Sequence, residues 1–174
     1  MRSVIFKWNP AFSSYPMIGY LDELYGLINN RDVHFNWSVW DHEKIHEGDR
    51  YYWLKLGYGQ AGICSCGTIV SEPYEGEDWS GKGRKTYYVD FRPEVMINPD
   101  TLPILTASAL STAIPDFEWD GGHSGVVLTA QQSECLENLW QEFIARHQGY
   151  WEKALNARCK DQLWMNRIEG GYFA

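Results

Sequence analysis

Among the stretches whose residue types could do chemistry, His42-Glu43-Lys44-Ile45-His46 fits the pattern H-E-x-x-H. In a zinc peptidase that pattern places two histidines one helical turn apart on the metal and a glutamate beside the metal-bound water. The chemistry needs a stable helix and a further ligand on a partner element. Here the pattern lies between a strand-like run and Gly48-Asp49, with room for about one turn, and no downstream His or Glu sits on an obvious partner helix. It reads as a chance match in a surface turn; a zinc-dependent hydrolase stays as the remote alternative, and no metal or other cofactor is expected. Cys64-Ser65-Cys66 puts two thiols on one face of a strand, but Cys135 and Cys159 fall in distant helical segments. The pair reads as two small buried hydrophobes. Gly81-Lys82-Gly83-Arg84-Lys85 lacks the spacing and the terminal Lys-Ser/Thr of a Walker loop. A cationic tip on a flexible backbone could hold phosphate oxygens or could simply be a solvated loop. Ser111 and Ser124 have no arranged His or Asp partners, so no hydrolase triad is indicated and no catalytic residue is assigned.

Aromatic residues make up 16% of the chain, with nine Trp and eleven Tyr. That excess suits flat binding surfaces as well as a core. Most of Trp37, Trp40, Trp53, Trp79 and Trp119 must be core. Trp37 beside Ser38, and Trp119 before the glycine-rich turn Asp120–Gly125 that carries His123, stand at element ends where a pocket could open. The net charge of −8 provides no global field toward nucleic acid or a membrane. Screening over roughly 8 Å leaves room for a local cationic patch, but not for affinity resting mainly on phosphate contacts. No run of about 18 apolar residues is present, so no membrane span is expected. The opening MRSVIFKWNP has a lysine and a proline where a signal peptide needs apolar length. Four cysteines then read as reduced thiols of a cytoplasmic protein.

The elements that must position these residues follow from periodicity. Val4 to Trp8 is a short strand ended by Asn9-Pro10. Met17, Ile18, Leu21, Leu24, Leu27 and Ile28 recur on one helical face, and Asn29-Asn30 ends that helix. Phe35 to Trp40 and Arg50 to Leu56 are strand-like, and a glycine-rich turn leads into a strand from Ile63 to Val70. Ser71-Glu72-Pro73 ends that strand and opens a long polar loop, which Thr86 to Phe91 closes. Pro93 is expected to interrupt the chain before Val95 to Ile97 resumes extended. Leu105 to Ile114 reads as a short helix stopped by Pro115. Thr129 and Gln132 form a capping box for a helix whose apolar residues are Leu136, Leu139, Trp140, Phe143 and Ile144. Gly149 is expected to break it, giving one α+β domain over 1–148 and a helical extension over 149–174 that packs back or mediates self-association.

Certain segments of the chain, Trp37-Ser38, Ile45-x-x-Gly48-Asp49-Arg50, Gly62-Ile63 and Gly67 through Pro73-Tyr74, resemble the EVE domain of the PUA-like superfamily. Tyr88-Val89-Asp90, Asn98-Pro99 to Leu105, Trp119, Ser124-Gly125-Val126 and Leu136-x-x-Leu139-Trp140 continue the likeness, which spans roughly Phe35 to Phe143. It is similar to the branch often fused to HNH nucleases in bacterial defence and restriction-modification proteins, although no HNH segment exists in this sequence. The resemblance implies a small curved sheet or pseudo-barrel of about five to six strands flanked by helices. It also implies a pocket for a modified base flipped from DNA or RNA, methylated cytosine leading. By position Trp37 would be a stacking wall and Ser38 a polar contact, with Trp79 or Trp119 opposite. Lys82, Arg84, Lys85 and His123 would meet backbone phosphates. Such a reader would serve a nuclease or helicase encoded separately. The competing expectation is a small-molecule or protein-binding regulatory module, which the acidic net charge favours.

Overall fold

The computed structural model of the chain describes residues 2–29 and 31–161. Eight strands and three helices build it: β1 (Ser3–Trp8), α1 (Met17–Ile28), β2 (Phe35–Ser38), β3 (Arg50–Lys55), β4 (Gly62–Ile69), β5 (Tyr74–Glu77), β6 (Lys85–Met96), β7 (Leu105–Thr106), α2 (Ala107–Ala113), β8 (Val126–Val127) and α3 (Ala130–Asp161). The main path through the sheet runs β2-β6-β4-β3-β1-β8, with β5 attached to β6 and β7 to β4. That is the expected six-strand sheet with two short additions. β1 and β3 pair in parallel; the other pairings are antiparallel.

The sheet curls until its edges meet. Trp40 N–H, just past β2, donates to the Ser124 carbonyl (3.0 Å), and Asp41 N–H donates to that of Gly125 (2.9 Å). The Asp41 carboxylate accepts from Val127 N–H at 2.9 Å. The seam is tight: Gly125 has φ +75°, and a Cβ there would stand 2.3 Å from Val39 Cα. Only glycine takes both that conformation and that spacing without strain.

Alternation along the strands sorts the core into two sides. Tyr51 and Trp53 of β3 face inward, where Phe6 stacks on Tyr51 (centroids 5.1 Å) and Phe91 lies 5.6 Å from Trp53. Tyr52 points the other way, to α3, with its ring 6.0 Å from Trp140. α1 crosses the opening of the curl. Its Tyr20 hydroxyl donates toward the carbonyls of Ile97 (2.7 Å) and Cys64 (3.1 Å), and its ring stacks on Trp8.

The segments most specific to the resemblance hold turns together. The Asp49 carboxylate, 5% exposed, accepts from the backbone N–H groups of Arg2 and His46, both at 2.9 Å. Glu72 accepts from Glu47 N–H at 2.7 Å and meets His46 Nδ1 at 3.1 Å. Ser71 Oγ accepts from Asp90 N–H, and the Tyr74 hydroxyl donates to the Asp90 carboxylate at 2.6 Å.

Several expectations need correction. The polar loop after Pro73 contains strand β5, which pairs with β6 from Tyr74↔Tyr88 to Glu77↔Lys85. Pro93 does not interrupt β6. The pairing slips there, with Cys66 opposite Val95 and Gly67 opposite Pro93, so Glu94 is the extra residue of a bulge, where a missing N–H is tolerated. The helix expected from Leu105 starts at Ala107, capped by Thr106 Oγ1 accepting from Ala109 N–H at 3.2 Å. The Thr129–Gln132 capping box forms in both directions, at 2.9 and 3.1 Å. Gly149 lies inside α3, which continues to Asp161; one interior glycine costs only about 1 kcal/mol relative to alanine. How the extension packs lies outside the described residues.

Candidate functional site

β1 ends at Trp8, and the chain then turns back on itself, with Phe12 and Ser13 N–H both bonded to the Asn9 carbonyl. This loop lays Tyr15 against the sheet opening. The Tyr15 ring contacts Trp8 (5.7 Å), Phe35 (5.7 Å), Trp53 (5.8 Å) and Trp37 (6.1 Å). Trp8 Nε1–H donates to the Tyr15 carbonyl at 2.7 Å, which pins the loop. On the facing side β2 presents Trp37, whose ring tilts at 54° against Trp53 with centroids 4.6 Å apart. The β5–β6 hairpin brings up Trp79 from its tip and Tyr88 from its stem.

Between these elements opens a cleft of about 690 Å³, inside the ~300–1,000 Å³ range of small-molecule sites. Trp37, Ser38 and Trp79 all line it. Trp37 is half-buried, whereas Trp79 and Phe12 stand 68% and 88% exposed at the mouth. Trp37 Nε1–H donates to Ser124 Oγ at 2.8 Å, and Lys7 N–H donates to the same oxygen at 2.8 Å. Both donors and Ser124 belong to the lining.

Unmet polar capacity collects beside this cleft. Among the described residues the buried side-chain atoms with no hydrogen-bond partner are Tyr15 Oη, Trp53 Nε1 and Thr101 Oγ1. Tyr15 lines the cleft, and Trp53 packs behind it against the Tyr15 and Trp37 rings. Burial, seconded by the charge of Glu23, pushes the Tyr15 phenol well above its ordinary value, so it stays protonated. Burial lowers the Lys7 ammonium, against the attraction of Glu118 and Asp120. Its Nζ donates to the Gly121 carbonyl and sits 4.8 Å over the Phe117 ring, so this cation is held at the cleft edge by the protein itself.

Trp119 does not belong to the site. It is 2% exposed, its indole N–H donates to the Ile114 carbonyl at 2.9 Å, and its ring packs on Phe117. It is a core residue and cannot oppose Trp37. Lys82, Arg84 and Lys85 are exposed on the hairpin that carries Trp79. Arg84 Nε is paired with the Asp78 carboxylate at 3.3 Å, so its charge is partly met. His123 is exposed and lies flat on Trp40, with centroids 3.6 Å apart and planes 2° apart.

The H-E-x-x-H stretch forms a single 3₁₀ turn, His42–Lys44, followed by extended Ile45. His42 stacks on Tyr87 while His46 turns to Glu72, so the paired presentation a metal needs is absent. Among the described residues no group of three or more His, Cys, Asp or Glu is placed to hold a metal ion. Cys64 and Cys66 are buried, and burial pushes both thiols up to about 12.

Tyr15, Phe12, Asn36 and Glu23 join the lining without having been singled out from the sequence. Tyr15 sits in Ser13-Ser14-Tyr15-Pro16, and an aromatic held between turn residues was the signal available.

No protein-family model and no curated protein sequence matches the chain. Solved structures are similar in fold. A hypothetical protein from Leishmania major aligns with TM-score 0.53 and 13% identity, over 82% of this chain and 96% of that one. Protein PSPTO5229 from Pseudomonas syringae aligns with TM-score 0.51 and 15% identity, over 79% of this chain and 98% of that one. Human THYN1, solved in complex with 5-methylcytosine-containing DNA, aligns at TM-score 0.43 and 14% identity over 64% of this chain and 74% of its own, too low to bear on function. The fold is α+β, a curled sheet flanked by helices, and is shared with the first two of these structures. Identities this low extend to fold alone.

Proposed function

We propose that the cleft receives a modified base flipped out of nucleic acid, methylated cytosine being the leading candidate, and that the domain binds without catalysing a reaction. The observation that carries this reading is the convergence of Trp37, Ser38 and Trp79 on one cleft of small-molecule size. A half-buried indole on the wall and an exposed indole at the mouth suit a flat ring entering between them. Flipping costs a few kcal/mol, and each aromatic stack returns about 1–3 kcal/mol, so two walls plus edge hydrogen bonds roughly offset extrusion. A buried methyl adds only about 0.8 kcal/mol, or around fourfold, so sharp discrimination would come from shape.

Lys82, Arg84, Lys85 and His123 would meet phosphates around the mouth and contribute register rather than sequence information. The effector of such a reader in bacterial defence or regulation, a nuclease or helicase, would be supplied outside this sequence. The test compares methylated with unmodified oligonucleotides by fluorescence anisotropy, with Trp37→Ala as control. A preference for the methylated strand that collapses at least fivefold in Trp37→Ala is expected. Equal weak binding throughout, unaffected by the substitution, would sink the reading.

One observation favours a second reading, a regulatory module for a small molecule. The net charge is −8, and Glu23 adds a carboxylate to the cleft lining, which repels phosphate and suits a neutral or amino-bearing ring. Retention of a nucleobase-sized metabolite by the purified protein, with no oligonucleotide affinity, selects it.

A further inference from the structure

Ser124 stands where a hydroxyl is forced into one role. Its Oγ accepts from Lys7 N–H and from Trp37 Nε1–H, each at 2.8 Å. An amide and an indole can only donate, and a hydroxyl oxygen has two lone pairs and one proton. Both lone pairs are therefore taken, and rotating the hydroxyl cannot exchange the roles. The proton is left for the remaining tetrahedral direction, and among the described residues no acceptor takes it. Ser124 is also held firmly. Its own carbonyl accepts from Trp40 N–H at 3.0 Å, and Gly125 N–H beside it donates to the Ile5 carbonyl at 2.8 Å.

A donor of fixed direction lining a cleft selects what enters. We infer that Ser124 is a specificity-determining residue: it offers its O–H to a ring nitrogen or carbonyl oxygen of the occupant and disfavours a ring that presents C–H or an amino group there. This rests on reading the cleft as a base site. Ser124 is partly buried, and when the occupant shuts water out of the cleft, a ring unable to accept leaves this donor unpaired and is disfavoured. Of the rings considered, cytosine and its methylated form carry two adjacent acceptors, N3 and O2, and satisfy the requirement. Trp37 is drawn into the same device. Its indole N–H, together with Lys7 N–H, orients the Ser124 proton and also fixes the stacking wall, so the plane of the ring and the direction of its acceptor are set at one hydroxyl.

The experiment titrates the full chain with three probes, followed by tryptophan fluorescence. They are the free nucleoside of 5-methylcytosine and two analogues, one with N3 replaced by C–H and one with the O2 oxygen replaced by hydrogen. Wild type should bind at least one analogue about tenfold more weakly than the parent. In Ser124→Ala that penalty should shrink to within about twofold, whatever the variant's absolute affinity. Should Ser124→Ala fail to fold, Ser124→Cys keeps a weak acceptor for the two N–H groups and a poor donor, and the penalty should again shrink. Undiminished penalties in the variant, or no penalty in wild type, overturn the assignment of Ser124 while leaving the base reading standing. Failure of wild type to bind any of the three overturns both.

Discussion

The two faces of β3 handle their polar groups in opposite ways. On the α3 side, Arg50 reaches Glu94 at 3.2 Å, the Tyr52 hydroxyl at 3.3 Å and Cys66 Sγ at 3.2 Å, while Tyr52 donates to Glu137. Each polar group there has a partner. On the inward side, one residue along, Trp53 Nε1 has none, nor does Tyr15 Oη packed against it. Buried polar groups are normally satisfied, and a missing bond costs about 1–3 kcal/mol. The α3 face closes its side-chain network, whereas the inward face pairs Tyr51 with Ser65 and leaves these two atoms open. The two suspected tryptophans divide the same way: Trp119 is buried with its N–H bonded to the protein, whereas Trp79 is two-thirds exposed at the cleft mouth.

The sharpest way to break this contrast is Trp119→Ala. It should lower stability by about 3–5 kcal/mol in urea unfolding while the folded fraction keeps its cleft affinity; a selective loss of binding would restore Trp119 to the site. Arg50→Met should cost about 1–3 kcal/mol, because it removes the cation set between Glu94 and Glu137 and its hydrogen bonds to the Tyr52 hydroxyl and Cys66 Sγ, again with binding unchanged. Trp79→Ala should do the reverse. Its melting temperature should stay within a degree or two, and base affinity should fall roughly 5- to 150-fold, the equivalent of one lost stack. The smallest effect concerns Glu72, on neither face. The Glu47 N–H bond, then His46, hold its carboxyl below the ordinary 4.5. A depressed carboxylate stabilises above its unfolded value and loses that contribution as pH falls through the folded one. Glu72→Gln should therefore be slightly less stable than wild type near neutrality and indistinguishable well below pH 4.5; a difference growing toward acid would contradict the assignment.

Much of this architecture could be read from the sequence because burial imposes a period. α1 and the first turns of α3 announce themselves by apolar spacing, and β3 and β4 by continuous apolar runs. β5 was hidden because Tyr-Glu-Gly-Glu is solvent-facing along nearly its whole length, so neither face is buried and no alternation is written. β6 was split at Pro93, since a proline normally ends a ladder and only the bulge, a tertiary feature, makes room for it. The cleft was half legible. Trp37, Ser38 and Trp79 stood out by type, but which indoles are enclosed depends on long-range packing, and Trp119 looked equivalent. Tyr15 reaches the site only through the turn after β1, and Ser124 matters only through two bonds, one of them to a residue 117 positions away.

That separation has a consequence for how the protein is made. β1 is an interior strand, flanked by β3 in parallel and by β8, so the earliest of the described strands waits for β8 to complete its hydrogen bonds. At roughly 5–20 residues per second of synthesis, the segment bearing Ser124 follows β1 by about 6–24 s. Until then Trp37 lacks its anchor and the seam between β2 and β8 cannot shut. A nascent chain that has not reached Ser124 can thus display much of the sheet while the seam beside Trp37 is still open.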